Sequence, residues 1–442
     1  MTSTATETSG TGAPTTADVI DLLAGGSTSA ADAATIAHLR RLRPQARENA
    51  QRSFESLLEP ADAGEFPLAE RYAVATFAAL LHRAPEASAF YLDLLREESL
   101  TWADAVVEAA TRAAGVGPFG VYREPDLAAE STLGTTWTPG PGLVSQFGAH
   151  LAAALAHSHL LVLRPREARA ADLRSLEAAG WEADGIVTLS QLVAFLSFQL
   201  RLTWGLRVLA GLPTSATDAA AFPGPVSAPG TAPVGLVSEG GTEPDIDRPQ
   251  HFTQDSLGWV PWIDPVPRED LTAEQDAALL DDFRRSAPYF RLLARDPAAL
   301  VARTLTDKDI FFNTEGGVGR AERELAAAAT SRTNGCVYCA SVHSAAATRE
   351  SGREADVQRL LDEGVGADLG DPVWNAVAGA AATLSATPLS FGPPQVDTLR
   401  EAGLEDEAIV DVISGAAFFH WANRLMLSLG EPEIPARRKA RS

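Results

Sequence analysis

Cysteine is nearly absent from this chain, with two among 442 residues, at positions 336 and 339. That count excludes the disulfide framework of a small secreted domain. Basic charge is also scarce: 36 Lys and Arg stand against 58 Asp and Glu, a formal net charge of −22. Such a balance repels nucleic acid and anionic membrane surfaces. No uninterrupted apolar run approaches the roughly 18 to 20 residues that a membrane span needs. The segment Met1 to Pro14 is rich in Thr, Ser and Gly and lacks the apolar stretch of a secretory signal. No nucleotide-binding glycine loop occurs, so no bound organic cofactor is expected. Together these absences lead to the expectation of a cytoplasmic enzyme or binding protein with no nucleic-acid or membrane partner.

What the chain does contain is alanine-rich and poor in β-branched runs, a composition that favours helix. Its length suggests two domains. Residues 1–16 read as disordered and 17–212 as helices with short breaks, apart from a Gly/Pro-rich loop around Pro118 to Gly142. Residues 213–250, rich in Pro, Gly, Ser, Thr and Ala, read as a linker. A second helical block covers 251–432, and 433–442 is a basic tail ending in Arg437-Arg438-Lys439-Ala440-Arg441, read as solvated.

The two blocks are related. Glu177-Ala-Ala-Gly-Trp-Glu-Ala-Asp-Gly-Ile-Val matches Arg400-Glu-Ala-Gly-Leu-Glu-Asp-Glu-Ala-Ile-Val at an offset of 223, and the register runs on to Arg201-Leu202 against Arg424-Leu425. Upstream, Ala69-Glu-Arg-Tyr aligns with Ala321-Glu-Arg-Glu at an offset of 252. A duplicated and fused helical unit accounts for both offsets. The segment Glu405 to Leu429 predicts a long helix: acids open it, apolar residues recur at helical spacing from Ile409 to Phe419, and Gly430 is placed for a left-handed stop. The fold class expected is all-α, with two tandem homologous domains.

Chemistry concentrates in Asn334-Gly335-Cys336-Val-Tyr-Cys339-Ala-Ser-Val-His343. Asn-Gly should end one helix, and another should start near Cys336. On a helix Cys336, Cys339 and His343 fall within roughly 60° of one another. A thiol at a helix N-terminus meets unpaired N–H groups that favour thiolate, and His343 lies close enough to take a proton from Cys339. Glu324, on the preceding helix, would orient that imidazole. Zinc is a rival reading, since Cys, Cys and His are good ligands, with Glu324 or water as the fourth. By the same helical phase Tyr338 points away from the thiols, which favours a packing role. Which cysteine attacks stays open: helix-end electrostatics favours Cys336 and the nearby base favours Cys339. The 252 offset sets Tyr72, Ala84, Ala87 and Tyr91 opposite Glu324, Cys336, Cys339 and His343, so the first block lacks the whole set. Its histidines His150, His157 and His159 have no acidic or thiol partner at fixed spacing, which favours core or surface roles over metal binding.

Arg323-Glu324-Leu325 followed by Cys336-x-Tyr338-Cys339-x-x-x-His343 resembles the active-site motif of the alkylhydroperoxidase D-like, carboxymuconolactone decarboxylase superfamily. Phe419-x-x-x-Asn423-Arg424 resembles its closing helix. Residues from about His251 to Gly430, with the leader Phe252 to Trp262, are similar to a peroxidase-related branch, and the first block to a companion branch. The resemblance implies a proton relay of Glu324, Cys336, Cys339 and His343 serving a dithiol peroxidase. It implies a hydroperoxide substrate, a dithiol reductant or its carrier protein, and no bound metal or cofactor. Homo-oligomers are common in the superfamily, which implies a trimer forming a pseudo-hexameric ring, or a dimer. A redox sensor or another thiol–disulfide oxidoreductase needs the same thiol. Lactone decarboxylation fits less well, because members of that type generally lack the C-x-x-C pair.

Overall fold

The computed structural model describes residues 18–26, 29–214, 226–227 and 246–436. The N-terminal segment 1–16, most of the linker and the basic end from Arg437 lie outside the described residues. The fold is all-α, and fourteen of its helices form two runs of seven. The first run is α1 Pro44–Leu58, α2 Leu68–His82, α3 Pro85–Glu98, α4 Leu100–Ala113, α5 Pro141–Leu163, α6 Ala170–Ala178 and α7 Ala183–Leu209. The second is α8 Pro297–Phe312, α9 Arg320–Asn334, α10 Val337–Ser351, α11 Glu354–Glu363, α12 Pro372–Leu384, α13 Pro393–Glu401 and α14 Asp406–Ser428.

The two runs correspond helix by helix. Pro at the first turn opens both α1 and α8, where its missing N–H costs nothing. Buried arginines do equivalent work in each half. Arg71 donates to the carbonyls of Leu57, Ala63 and Phe66. Arg323, its counterpart, donates to those of Ile310, Gly316 and Val318, and to that of Asn313. These helix-end and loop carbonyls would otherwise lack donors.

The halves share one core rather than a thin interface. Helix α7 packs along α14, and α1 along α8. Phe195 and Phe198 of α7 meet Trp421 of α14 with ring centroids 5.2 and 5.7 Å apart, and Trp421 donates its indole N–H to Gln191. Arg201 and Arg424 cross reciprocally. Arg201 donates to the Ser385 carbonyl, while Arg424 donates to that of Val162, the matching position in the other half. By length and composition α7 could cross a membrane, but 94% of its most apolar stretch is buried inside the molecule.

One expectation is corrected. Gly430 takes no left-handed stop after α14. It pairs with Pro261 in a short antiparallel ladder, β1 Gly258–Pro261 with β2 Gly430–Glu433. A side chain at Gly430 would run into the Trp259 ring and the Val260 carbonyl, so the glycine serves a close backbone approach. The Gly/Pro-rich loop after α4 packs against the second half. Its Tyr122 and Leu127 pack with Phe252, Leu257, Val337, Ala340 and Leu361 in a satellite cluster against the start of α10.

Candidate functional site

Helix α9 ends at Asn334, and Gly335 takes the left-handed conformation at φ 80°. That single residue turns the chain sharply enough for α10 to fold back against α9. Cys336 is the residue before α10, at φ −88° and ψ 91°, so it is not itself helical. Cys339 sits one turn inside, and His343 one turn further on. Both cysteines are free and buried.

Glu324 comes across from α9. Its carboxylate is 1% exposed and holds His343 on one oxygen and Arg320 on the other. Nδ1 of His343 donates to Oε2 at 2.5 Å, and Nε of Arg320 donates to Oε1 at 2.7 Å. Fixing Nδ1 on a carboxylate leaves Nε2 for proton exchange. Phe419 meets the imidazole edge to face, with centroids 4.1 Å apart, and Phe311 lies 5.9 Å away.

The electrostatics follow from this packing. Burial pushes His343 down, but the Glu324 carboxylate together with Cys339 and Asp307 outweighs it and holds the imidazole above its ordinary pKa. Burial pushes Glu324 up, and the His343 and Arg320 cations bring it below the usual carboxylate range. The thiols divide. Burial raises both, but Cys339 receives a hydrogen bond from the Cys336 thiol and feels His343, the Asn423 amide and Arg303, and it ends below an ordinary thiol. Cys336, buried and facing the charge on Cys339, is held well above. The pair therefore contains one thiolate-prone sulfur and one proton-keeping sulfur.

Cys339, His343 and Glu324 open onto a cavity of about 330 Å³. Its walls are aromatic, with Tyr289, Phe290, Phe311, Phe418 and Phe419 among them. Phe283, Phe312 and Val342 also line it and remain exposed. Cys336 does not line it. Tyr338 does, contrary to the helical-phase reading. Cys336 lies outside the helix, so helical phase does not fix the angle between it and Tyr338. Burial pushes the Tyr338 phenol up to about 12.

All four residues singled out in the sequence are brought together here. Those missed are Arg320, Asp307, Arg303, Tyr289 and Phe311, and Asn423 was noted only as part of a motif. Arg320 was findable, since it lies four residues before Glu324 on one helix face. Tyr289 and Arg303 left no local signal. Among the described residues no group of three or more His, Cys, Asp or Glu side chains is placed to hold a metal ion.

The first half has filled its equivalent position. Tyr91, opposite His343, is fully buried and donates to Gln199, which stands opposite Ala422 of the cavity wall. His157 and His159 are core residues bonded to Ser190 and to the Ala113 carbonyl, while His150 stacks on Trp181 and pairs with Glu70. The first half does reach the cysteine turn. Glu130 pairs with Arg332 at 2.7 and 2.8 Å, and Arg166 donates to the Thr333 carbonyl at 3.0 Å while lying over the Tyr122 ring.

Residues 297–383 match the carboxymuconolactone decarboxylase family. A domain of that family therefore runs from α8 to α12 and holds Glu324, Cys336, Cys339 and His343. No curated protein matches the chain.

Proposed function

We propose that this carboxymuconolactone decarboxylase family protein is a thiol peroxidase that reduces organic hydroperoxides, with Cys339 as the attacking and Cys336 as the resolving thiol. One observation carries the reading: Cys339, the depressed thiol, opens onto the aromatic cavity beside His343 and Glu324, while Cys336 lies behind it. The Cys339 thiolate attacks the hydrogen-bearing oxygen of ROOH. An S–O bond forms, the O–O bond breaks, and sulfur loses the two electrons that the peroxide gains. The alkoxide leaves as alcohol with a proton from His343. Cys336 then attacks the sulfenic sulfur, an S–S bond replaces S–O, and water leaves. An external dithiol restores both thiols by exchange. The aromatic walls favour an alkyl or aryl tail on the peroxide.

The test is steady-state reduction of cumene hydroperoxide with a lipoyl-type dithiol. Wild type should turn over, and Cys339→Ser should lose turnover entirely. Cys336→Ser should consume one equivalent of peroxide and hold a sulfenic acid that dimedone traps. Stoichiometric oxidation of the wild type without turnover would sink the peroxidase reading and leave a redox sensor.

A further inference from the structure

Two polar side chains at the cavity have no partner. Tyr289 is 6% exposed and lines the cavity, yet its hydroxyl makes no hydrogen bond. Arg303, also 6% exposed, lines the same cavity. Its Nε has no partner, and no hydrogen bond or ion pair joins its guanidinium to another described residue. Its ring neighbours are Tyr289 at 5.8 Å, Phe418 at 5.1 Å and Trp421 at 5.9 Å, and the buried Asp307 carboxylate, one turn further along α8 and also at the cavity, acts on it through space without a hydrogen bond. Other cations at this cavity are paired directly with carboxylates, Arg284 with Asp281, Arg320 with Glu324 and Arg349 with Glu350. Rings attract a cation from one face but accept no hydrogen bond at its edge.

A buried guanidinium and a buried phenol without acceptors are costly to keep. Such groups call for an acceptor from outside the protein, which water or a ligand in the cavity supplies. Both line the cavity onto which Cys339 opens, and burial, with the thiols nearby, holds the Tyr289 phenol protonated. The phenol is thus a donor throughout the physiological range.

We propose that Tyr289 and Arg303 are catalytic residues that hold the departing oxygen of an organic hydroperoxide as the O–O bond breaks. The assignment rests on the peroxidase reading above. As the Cys339 sulfur takes the terminal OH, the alkyl-bearing oxygen gains the bonding pair and becomes an alkoxide. Two fixed donors in an aromatic-walled cavity stabilise that charge before His343 delivers the proton. The alkyl or aryl group then lies along Phe311 and Phe419 towards the exposed Phe283 and Phe312.

The experiment is a single-turnover oxidation of the reduced full chain by cumene hydroperoxide, run beside alkylation by iodoacetamide across a pH series. The chains compared are wild type, Tyr289→Phe, Arg303→Met and Arg303→Lys. Removing one donor to a developing oxyanion costs on the order of 100-fold. Tyr289→Phe and Arg303→Met should each slow peroxide oxidation by about 10- to 100-fold. Alkylation above the thiol midpoint should match wild type, and Arg303→Lys should recover part of the loss. Equal losses with both reagents would make these residues mere supports of the thiol and overturn the assignment, as would no loss at all. Tyr289→Phe keeps the ring and so guards against a folding defect. A wild type that iodoacetamide alkylates but peroxide does not touch would overturn the peroxidase reading, and this assignment with it.

Discussion

Glu324 has a different cation on each oxygen, and the two do different work. Arg320 neutralises the buried carboxylate from outside, and His343 uses the remaining charge to stay protonated beside Cys339. Replacing Glu324 with Gln keeps the shape and removes the charge. The imidazole then loses the partner that raised its pKa, and burial pulls it down. Cys339 loses the imidazolium in turn, and burial pushes the thiol up. The thiolate fraction should therefore fall at neutral pH, and the midpoint should move to higher pH. Iodoacetamide alkylation of Cys339 in a Cys336→Ser background should show a midpoint at higher pH than with Glu324 intact, and slower alkylation below that midpoint. An unchanged midpoint would detach Glu324 from the thiol. The four residues of this relay were legible because they lie within twenty positions of one another, where helical spacing fixes who can meet. Arg303 and Tyr289 were not, because their place at the cavity depends on how α8 and the chain before it pack on α14.

At the scale of the element, the turn between α9 and α10 decides where the thiols sit. Its Asn-Gly pair was readable, as was the switch of helices around it. The clamp on its outer side was not, since Tyr122, Glu130 and Arg166 come from the other half of the chain. A helical wheel also misplaced Tyr338, because it extended helical geometry to a residue outside the helix. Gly335 is the test of this turn. Its φ of 80° disfavours any other residue, and a Cβ there would stand 3.0 Å from Arg166 Nε and 3.1 Å from the Tyr122 ring. Gly335→Ala should destabilise the protein by about 1–2 kcal/mol from the left-handed backbone alone, more if the clamp cannot yield. It should also displace Cys336. Denaturant unfolding reads the first effect. Formation of the Cys336–Cys339 disulfide by diamide should slow relative to alkylation of Cys339. A variant as stable and as quickly oxidised as wild type would show that the turn tolerates other geometries.

Across the whole molecule, the two halves differ at equivalent positions, one holding an open cavity with the thiols and the other a filled core, with the long helices α7 and α14 joined at the centre. The repeat was legible from its constant offset, but the depth of the shared core was not, because periodicity shows which face is buried and not what covers it. That core contains four histidines held as neutral bases. Burial brings His157 and His159 down to about 4, and burial with the nearby Arg201 holds His82 and His420 well below the ordinary value. For a base depressed on folding, the unfolded chain binds more protons at intermediate pH. Its contribution to stability is then complete above the unfolded value of about 6.5 and is lost as pH falls towards the folded one. His343 runs the other way, since its raised value adds stability at low pH that fades as pH rises through it. Buried acids such as Asp296 and Asp411, pushed up chiefly by burial, also oppose the histidines as pH falls. A single replacement separates the histidine contribution from these others. For His157, a fall from 6.5 to about 4 corresponds to about 2 kcal/mol lost between pH 7 and pH 5. Urea unfolding of wild type and His157→Gln at both pH values should therefore show that the variant loses less stability on acidification, by about that amount. Equal losses in the two chains would mean that His157 does not charge on unfolding in this range, and that acid sensitivity arises elsewhere in the core.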